Sequence, residues 1–255
     1  MVPLSQMKTA LVLSGGGMFG AYQAGAWKAL SREFAPDMVV GVSVGALNGW
    51  YIASGASADD LERHWLDPVS AGLMAYRTPL LPWSIFDPRP LEMRAKFLVE
   101  NYKPRVDFGV VLLQLPRLQP KLVRDGEIGW RHLVATCSIP AVFPPVRIGG
   151  AFYCDGGLLE PTPIWAAAAM GATRVVAVNC SRFIPPWVVG MMMKGVCRWS
   201  RNSAPAASGV EVVMISPKDP FGRMYEGAVW RQENIERWIE MGETDAITAL
   251  RAVTS

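Results

Sequence analysis

Short, continuous apolar runs alternate with stretches of helical apolar spacing at the start of the chain. Thr9–Leu13 is such a run, which predicts a strand buried on both faces. Apolar residues then recur at helical spacing over Met18–Leu30, predicting an amphipathic helix that ends near Pro36. Val39–Val42 predicts a second strand and Ala46–Ala53 a second helix. This alternation indicates a parallel sheet with right-handed crossovers.

Predicted helices and strands continue to alternate after one irregular, proline-rich apolar segment, Asp67–Arg89. The predicted later helices are Leu91–Asn101, Trp130–Cys137, Ala166–Met170 and a C-terminal amphipathic helix that includes Ile235 and Ala249. The predicted later strands are Gly109–Leu115, Lys121–Arg124, Thr173–Asn179 and Val210–Ile215, the last two as buried parallel strands. We find no internal repeat. The simplest interpretation is one α/β domain over residues 1–255, with the core motifs in 8–180 and a C-terminal strand and helix in 210–252.

Composition excludes disorder, because 51% of the residues are hydrophobic and 18% are charged. The mean hydropathy of +0.19 is high for a soluble protein, yet no run approaches the roughly 20 apolar residues of a membrane span. The segment Trp187–Val196 is too short and carries Lys194. The N-terminal apolar run is too short for a signal peptide. These features predict a cytoplasmic protein without a signal peptide or transmembrane span.

Charge and metal-binding residue types exclude two further classes. A net charge of +3 without a lysine or arginine run predicts no nucleic-acid partner. The two histidines, His64 and His132, have no ligand-like neighbours at helical spacing, so we expect no metal site. No cofactor is expected. The four cysteines share no CxxC spacing and are expected to be free core thiols in a reducing compartment: Cys137, Cys154, Cys180 and Cys197.

Ser43 lies in a Gly-x-Ser-x-Gly turn between the second predicted strand and the second predicted helix. The flanking glycines, Gly41 and Gly45, would permit the close approach that a sharp strand-to-helix turn requires. Such a turn projects the serine Oγ at the carboxyl end of a parallel strand, near a helix N-terminus that favours negative charge. Ser43 is therefore a candidate nucleophile. A tight glycine turn with an incidental serine is the alternative.

The glycine-rich turn Gly15–Gly20 follows the first predicted strand and allows three interpretations. As Gly-x-Gly-x-x-Gly it matches a dinucleotide-binding turn, which expects an acidic residue at the end of the second strand. Asp37 has the right spacing but precedes that strand. Alternatively, the N–H groups of Gly15, Gly16 and Gly17 form an oxyanion hole at the N-terminus of the following helix. The third interpretation is a purely structural turn.

A carboxylate is the remaining candidate for the base. No histidine follows His132, so a triad in the order Ser, Asp, His cannot include Asp155. His64 or His132 would serve only in an unusual order. Asp155 follows a hairpin-like approach, and Gly156 and Gly157 after it would let the carboxylate enter a tight site. An ordinary Asp-Gly turn is the alternative.

The order Gly-Gly-Gly-x-x-Gly, Gly-x-Ser-x-Gly, Asp-Gly-Gly resembles the patatin-like phospholipases, which carry a Ser-Asp dyad. Two longer segments extend the resemblance, Ala135–Pro145 and Asp155–Pro163, although Glu160-Pro161 replaces the more usual asparagines in the second. The resemblance covers residues 8–60 and 130–180. It implies a three-layer α/β/α fold with a mostly parallel central sheet.

The resemblance also implies a lipid acyl hydrolase of the phospholipase A, lysophospholipase or esterase type. Ser43 would be the nucleophile, Asp155 the general base, and Gly15, Gly16 and Gly17 the oxyanion hole, with a lipid acyl ester as substrate. Trp187–Trp199 contains two tryptophans, three methionines and basic residues. This composition suits peripheral membrane contact or an acyl-chain entrance, or else an ordinary core helix. Leu80–Phe86 is a candidate lid or a packed loop.

Three alternatives stay open at this point. A non-catalytic lipid-binding protein and an acyltransferase would share the same fold, and a nucleotide-dependent oxidoreductase would use Gly15–Gly20. The oligomeric state, the head group and the acyl position are left open by the sequence.

Overall fold

The computed structural model describes residues 7–68, 86–140, 142–183 and 209–254, together with the backbone of 75–76. The predictions for Trp187–Trp199 and Cys197, and for Leu80–Phe86 apart from its last residue, lie outside these residues. Within the described ranges, no helix has both the length and the apolar character needed to cross a bilayer.

Strands and helices alternate as the apolar pattern predicts. The described α-helices are α1 (Ala21–Leu30), α2 (Val44–Ala53), α3 (Ala58–Leu66), α4 (Arg89–Asn101), α5 (Trp130–Thr136), α6 (Ile164–Ala169) and α7 (Gln232–Thr254). The described strands are β1 (Thr9–Leu13), β2 (Met38–Gly41), β3 (Ala75–Tyr76), β4 (Phe86–Asp87), β5 (Asp107–Leu115), β6 (Gln119–Arg124), β7 (Val146–Ile148), β8 (Ala151–Asp155), β9 (Arg174–Val178) and β10 (Glu211–Ile215). Short 3-10 helices occupy Gly17–Gly20, Gly156–Leu158 and Met224–Ala228.

The central sheet is mixed, and its larger part is parallel. Its strand order is β10-β9-β1-β2-β5-β8-β7, and β6 also pairs with β5. All pairings from β10 to β5 are parallel, whereas β6, β7 and β8 join in antiparallel pairs. The antiparallel strands come from short hairpins, which need no helical crossover. The expected α/β fold with a mostly parallel sheet is confirmed.

Alternating side chains of the parallel strands enter two separate apolar cores. In β1, Leu11 and Leu13 pack into the core that contains α1, α2 and α7, whereas Ala10 and Val12 pack into the core that contains α6. Because both faces of the strand are covered, the run is continuously apolar rather than alternating. Helices on both faces give the three-layer α/β/α arrangement.

Several element bounds differ from the sequence-based prediction, and the largest differences concern α1, α3 and β10. Helix α1 ends at Leu30 rather than near Pro36, and a turn follows it. Helix α3 was not predicted, although Ser57 and Asp60 form a capping box at its start. The predicted buried strand at Val210–Ile215 is β10, an edge strand whose side chains Val212 and Met214 are exposed.

Two strands meet end to end along one edge of β5. On that edge Gly41, the last residue of β2, pairs with Val110, while Asp155, the last residue of β8, pairs with Leu112. Strand β6 occupies the opposite edge of β5 from Gly109 to Gln114. Since β2 runs parallel to β5 and β8 runs antiparallel to it, their carboxyl ends face each other at the level of Val111.

Candidate active site

Ser43 occupies a sharp turn between β2 and α2. Its backbone dihedrals, φ 56° and ψ −133°, lie in a sparsely populated region, which costs on the order of 1–3 kcal/mol. A Cβ on Gly45 would lie 2.4 Å from the Leu13 carbonyl oxygen, and a Cβ on Gly41 would lie 2.4 Å from the Gly45 carbonyl oxygen. Only residues without a Cβ fit at these two flanking positions, in agreement with the expected strand-to-helix turn.

Hydrogen bonds hold both the N–H and the carbonyl group of Ser43. The Ser43 N–H donates to Thr136 Oγ1 over 2.8 Å, and the Ser43 carbonyl accepts from the N–H of Ala46. Burial raises the pKa of Cys137 well above its ordinary value, whereas the nearby Ser43 side chain acts in the opposite direction. The thiol therefore stays protonated beside the serine hydroxyl.

Asp155 is the last residue of β8 and is 3% exposed. Its Oδ1 accepts a hydrogen bond of 2.7 Å from the N–H of Gly157, and its own N–H donates to the Ser138 carbonyl. Burial raises the pKa of Asp155 to about 7, while hydrogen bonds from the Ser43 hydroxyl and the Gly157 N–H act in the opposite direction. A carboxyl group with this pKa can both accept and return a proton near neutral pH.

The two glycines after Asp155 have separate positions. Gly157 lines the same cavity as Ser43 and supplies the N–H that holds the carboxylate. Gly156 packs against the main chain of β5, where a Cβ would lie 2.7 Å from the Val111 carbonyl oxygen. The Asp-Gly-Gly segment is thus both a turn and part of the cavity wall.

The three glycines after β1 differ in the hydrogen bonds of their N–H groups. The N–H of Gly15 donates to the Pro161 carbonyl over 3.0 Å. The Gly15 carbonyl accepts from Ser14 Oγ and Cys180 Sγ. Because the two ends of a trans peptide point in opposite directions, the N–H of Gly16 faces away from these donors. Among the described residues, the N–H groups of Gly16 and Gly17 have no acceptor.

A buried polar network supports this glycine turn from below. Gln23 Nε2 donates to the Ser14 carbonyl over 2.7 Å, and Gln23 Oε1 accepts from Asn48 Nδ2. Trp65 Nε1 completes the chain by donating to Asn48 Oδ1. This network was not predicted from the sequence. Its signal was available, because Gln23 and Asn48 are polar residues on two otherwise apolar helix faces.

An apolar cavity of about 230 Å³ opens beside Ser43 and Asp155. Its wall also includes the three glycines Gly15, Gly16 and Gly17. The apolar part of the wall consists of Phe19, Phe86, Ile139, Val142, Leu158, Pro161, Met224 and Ala228. A hydroxyl, a carboxyl and uncommitted N–H groups therefore surround a space suited to an apolar chain.

The remaining candidates lie away from this cavity. His64 is half-buried beside the Tyr51 ring, and desolvation lowers its pKa to about 3. His132 Nδ1 accepts from the N–H of Gly129 at the start of α5. Asp37 binds the N–H and hydroxyl of Thr9 at the amino end of the sheet, opposite to the end where a dinucleotide ribose would lie. Within the described ranges, no group of His, Cys, Asp and Glu side chains could hold a metal ion.

The free cysteines among the described residues are Cys137, Cys154 and Cys180, and all three are buried. This agrees with the expectation for core thiols at these positions. Two of them, Cys137 and Cys180, contact the polar groups of the site, which their spacing in the sequence did not indicate.

Known proteins with similar sequences are phospholipases by name. Lysophospholipase NTE1 of Debaryomyces hansenii is 25% identical over 194 residues, which cover 69% of this chain and 12% of that protein. Patatin-like phospholipase domain-containing protein 6 of Homo sapiens is 27% identical over 180 residues, which cover 67% of this chain and 13% of that protein. The chain thus spans about one eighth of the length of these relatives.

A solved structure and a family pattern agree with this similarity. VipD from Legionella pneumophila superposes with a TM-score of 0.55 at 11% identity, covering 97% of this chain and 67% of the VipD chain. At this identity the likeness concerns the fold alone. The patatin-like phospholipase family pattern matches residues 11–168 and includes both Ser43 and Asp155. This match spans more than half of the chain, and the protein therefore belongs to the patatin-like phospholipase family.

Proposed function

We propose that this protein hydrolyses acyl esters of lipids, with Ser43 as the nucleophile and Asp155 as the general base. The observation that carries the proposal is the position of both side chains at one apolar cavity, where the strained serine turn faces a buried carboxyl whose pKa is near 7. Family membership and the lysophospholipase names of the relatives support a lipid ester as the substrate class.

The first step is acyl transfer to the enzyme. Ser43 Oγ attacks the ester carbonyl carbon while its proton passes to Asp155. The tetrahedral oxyanion accepts hydrogen bonds from the N–H groups of Gly16 and Gly17. The C–O bond to the leaving alcohol then breaks, and Asp155 returns the proton to that alcohol.

Hydrolysis of the acyl-enzyme completes the cycle. Water attacks the Ser43 ester and gives a proton to Asp155, and the same N–H groups bind the second oxyanion. The bond between the acyl carbon and Ser43 Oγ then breaks, Asp155 returns its proton to that oxygen, and the fatty acid is released. Gly15 has no donor role in this scheme because its N–H is already bonded to Pro161, so the oxyanion hole has two of the three expected donors.

The apolar cavity wall accommodates the acyl chain during both steps. Met224, which is 39% exposed, lies both in this wall and at the surface, beside the exposed Tyr225. An apolar rim at the entrance is suited to transient contact with a membrane surface, from which a lipid ester would enter. This contact is part of the proposal.

Labelling by a fluorophosphonate probe, together with fatty-acid release from lysophosphatidylcholine, tests the proposal. We expect both signals in the unaltered protein and neither in a folded Ser43→Ala variant. Ser54→Ala is a matched control, because Ser43 and Ser54 are each 6% exposed and the Ser54 hydroxyl donates to the Trp50 carbonyl, away from the cavity. Full activity of Ser43→Ala, or a folded unaltered protein without either signal, would refute the proposal.

A further inference from the structure

Thr136 lies at the junction where β2 and β8 end opposite each other beside β5. Its hydroxyl donates to the Val111 carbonyl over 2.8 Å and accepts from the Ser43 N–H over 2.8 Å. Val111 lies on β5 between Val110, which pairs with the last residue of β2, and Leu112, which pairs with the last residue of β8. One fully buried side chain therefore satisfies two main-chain groups at the junction of these strands.

The same hydroxyl anchors the strained turn of Ser43. A residue with φ 56° and ψ −133° keeps this conformation only where its surroundings hold it. On the carbonyl side, the hydrogen bond from Ala46 belongs to the start of α2. On the amide side, the bond to Thr136 ties Ser43 to α5 and to the central sheet. We propose that Thr136 is a positioning residue that fixes the direction of the Ser43 hydroxyl toward Asp155.

The inference rests on the proposed function and adds a residue to it. Because the Ser43 N–H is committed to Thr136, it cannot also bind the oxyanion, and its role is to orient the nucleophile. Loss of the Thr136 hydroxyl would leave both main-chain groups buried without a partner. The turn would relax, and Ser43 Oγ would leave its reactive direction while the apolar cavity kept its shape.

The test compares Thr136→Val, which keeps the shape of the side chain, with Thr136→Ser, which keeps the hydroxyl. The fluorophosphonate labelling rate and the kcat and KM for p-nitrophenyl butyrate are measured below the melting temperature, at equal concentrations of folded protein. We expect Thr136→Val to lower the labelling rate and kcat by about 10- to 100-fold with little change in KM. Thr136→Ser should retain most of the rate, and Ser54→Ala should equal the unaltered protein.

Several outcomes would overturn the inference. One is a labelling rate of Thr136→Val within about twofold of that of the unaltered protein, instead of the expected loss of about 10- to 100-fold. Another is an equal loss in Thr136→Ser, since the hydroxyl would then be irrelevant. Thr136→Ala is the second hydroxyl-free variant, and failure of both hydroxyl-free variants to fold would assign Thr136 a purely structural role. An unaltered protein that neither labels nor turns over would refute the proposed function itself, and the inference with it.

Discussion

Gly25 of α1 lies directly against the main-chain carbonyl of Ile239 in α7. A Cβ at position 25 would stand 1.8 Å from that oxygen, and a Cβ on Gly242 would stand 2.0 Å from the Tyr22 carbonyl oxygen. The two helices thus touch through their backbones at this crossing. The contact buries Trp238 and Tyr22 completely and attaches the C-terminal helix to the helix that follows the glycine turn.

This crossing predicts that Gly25→Ala and Gly242→Ala each destabilise the protein. The added methyl group must push the helices apart, at a cost of about 3 kcal/mol, which corresponds to a fall in Tm of about 10 °C. Urea denaturation and calorimetry measure both quantities. Gly129→Ala is the control, because its Cβ would meet open space. Unfolding free energies of both variants equal to that of the control would contradict the close crossing.

The pKa of Asp155 predicts how activity depends on pH. The general base must be ionised, and burial raises its pKa to about 7. The value of kcat/KM should therefore rise with pH and level off above pH 8, with an apparent pKa near that of Asp155. Initial rates with a p-nitrophenyl ester between pH 5 and 9 measure the profile. A rate that is flat between pH 5 and 8 would exclude Asp155 as a base of this kind.

Asp155→Asn should abolish turnover and stabilise the folded protein at alkaline pH. The folded pKa of Asp155 lies above the ordinary value of 3.8, so its contribution to stability is present below pH 4 and is lost as pH rises through 7. Each unit of pKa shift corresponds to about 1.4 kcal/mol, and we expect a gain of roughly 1–3 kcal/mol at pH 8.

Urea denaturation at pH 4 and pH 8 checks this gain. The difference between Asp155→Asn and the unaltered protein should grow with pH across this interval. A difference that is equal at the two pH values would mean that the carboxyl titrates alike in the folded and unfolded states.

Gly16→Ala tests the proposed oxyanion hole. A Cβ at position 16 would lie 2.7 Å from Cys180 Sγ, the thiol that donates to the Gly15 carbonyl. We therefore expect the added methyl group to displace the peptide between Gly15 and Gly16 and to turn its N–H away from the cavity. We expect kcat to fall about 100-fold with KM little changed, as for loss of one oxyanion donor. The Gly129→Ala variant should keep its kcat. An unchanged kcat in folded Gly16→Ala would place the oxyanion donors elsewhere.

Ala228→Trp tests whether the apolar cavity holds the acyl chain. Ala228 lines this cavity and is half-buried, so an indole ring there would fill part of the space. We expect the ratio of kcat/KM for p-nitrophenyl decanoate to that for p-nitrophenyl butyrate to fall about tenfold, because several buried methylene groups are lost. Met93→Trp is the control, since Met93 is 65% exposed on α4. An unchanged ratio would exclude this cavity as the chain site.

The elements that position the site were predictable because their signals are local. Strand β1 has the bounds expected for a run buried on both faces, and β2 lies within one residue of its prediction. The sharp turn at Ser43 was indicated by Gly41 and Gly45, which leave room only for main-chain contacts. Helix α3 was missed because its apolar spacing is sparse, although its capping residues were present.

The hydrogen-bond partners of the site residues could not be predicted from local sequence patterns. The partners of Gly15 and Ser43 are Pro161 and Thr136, which lie far away in the chain. Cys180, which orients the Gly15 carbonyl, looked like an ordinary core thiol in the sequence. From the sequence we therefore expected three N–H donors in the glycine turn, whereas in the fold the Gly15 N–H is already bonded to the Pro161 carbonyl.

The sequence alone determined the local chemistry of this protein: which turns are sharp, which strands are buried and which residue types can act as nucleophile and base. Tertiary structure decided how these groups meet. Ser43 and Asp155 come together because β2 and β8 end opposite each other on the same edge of β5, a pairing between segments more than a hundred residues apart. The raised pKa of Asp155 follows from burial at this junction, and burial is a property of the packed fold rather than of any short segment.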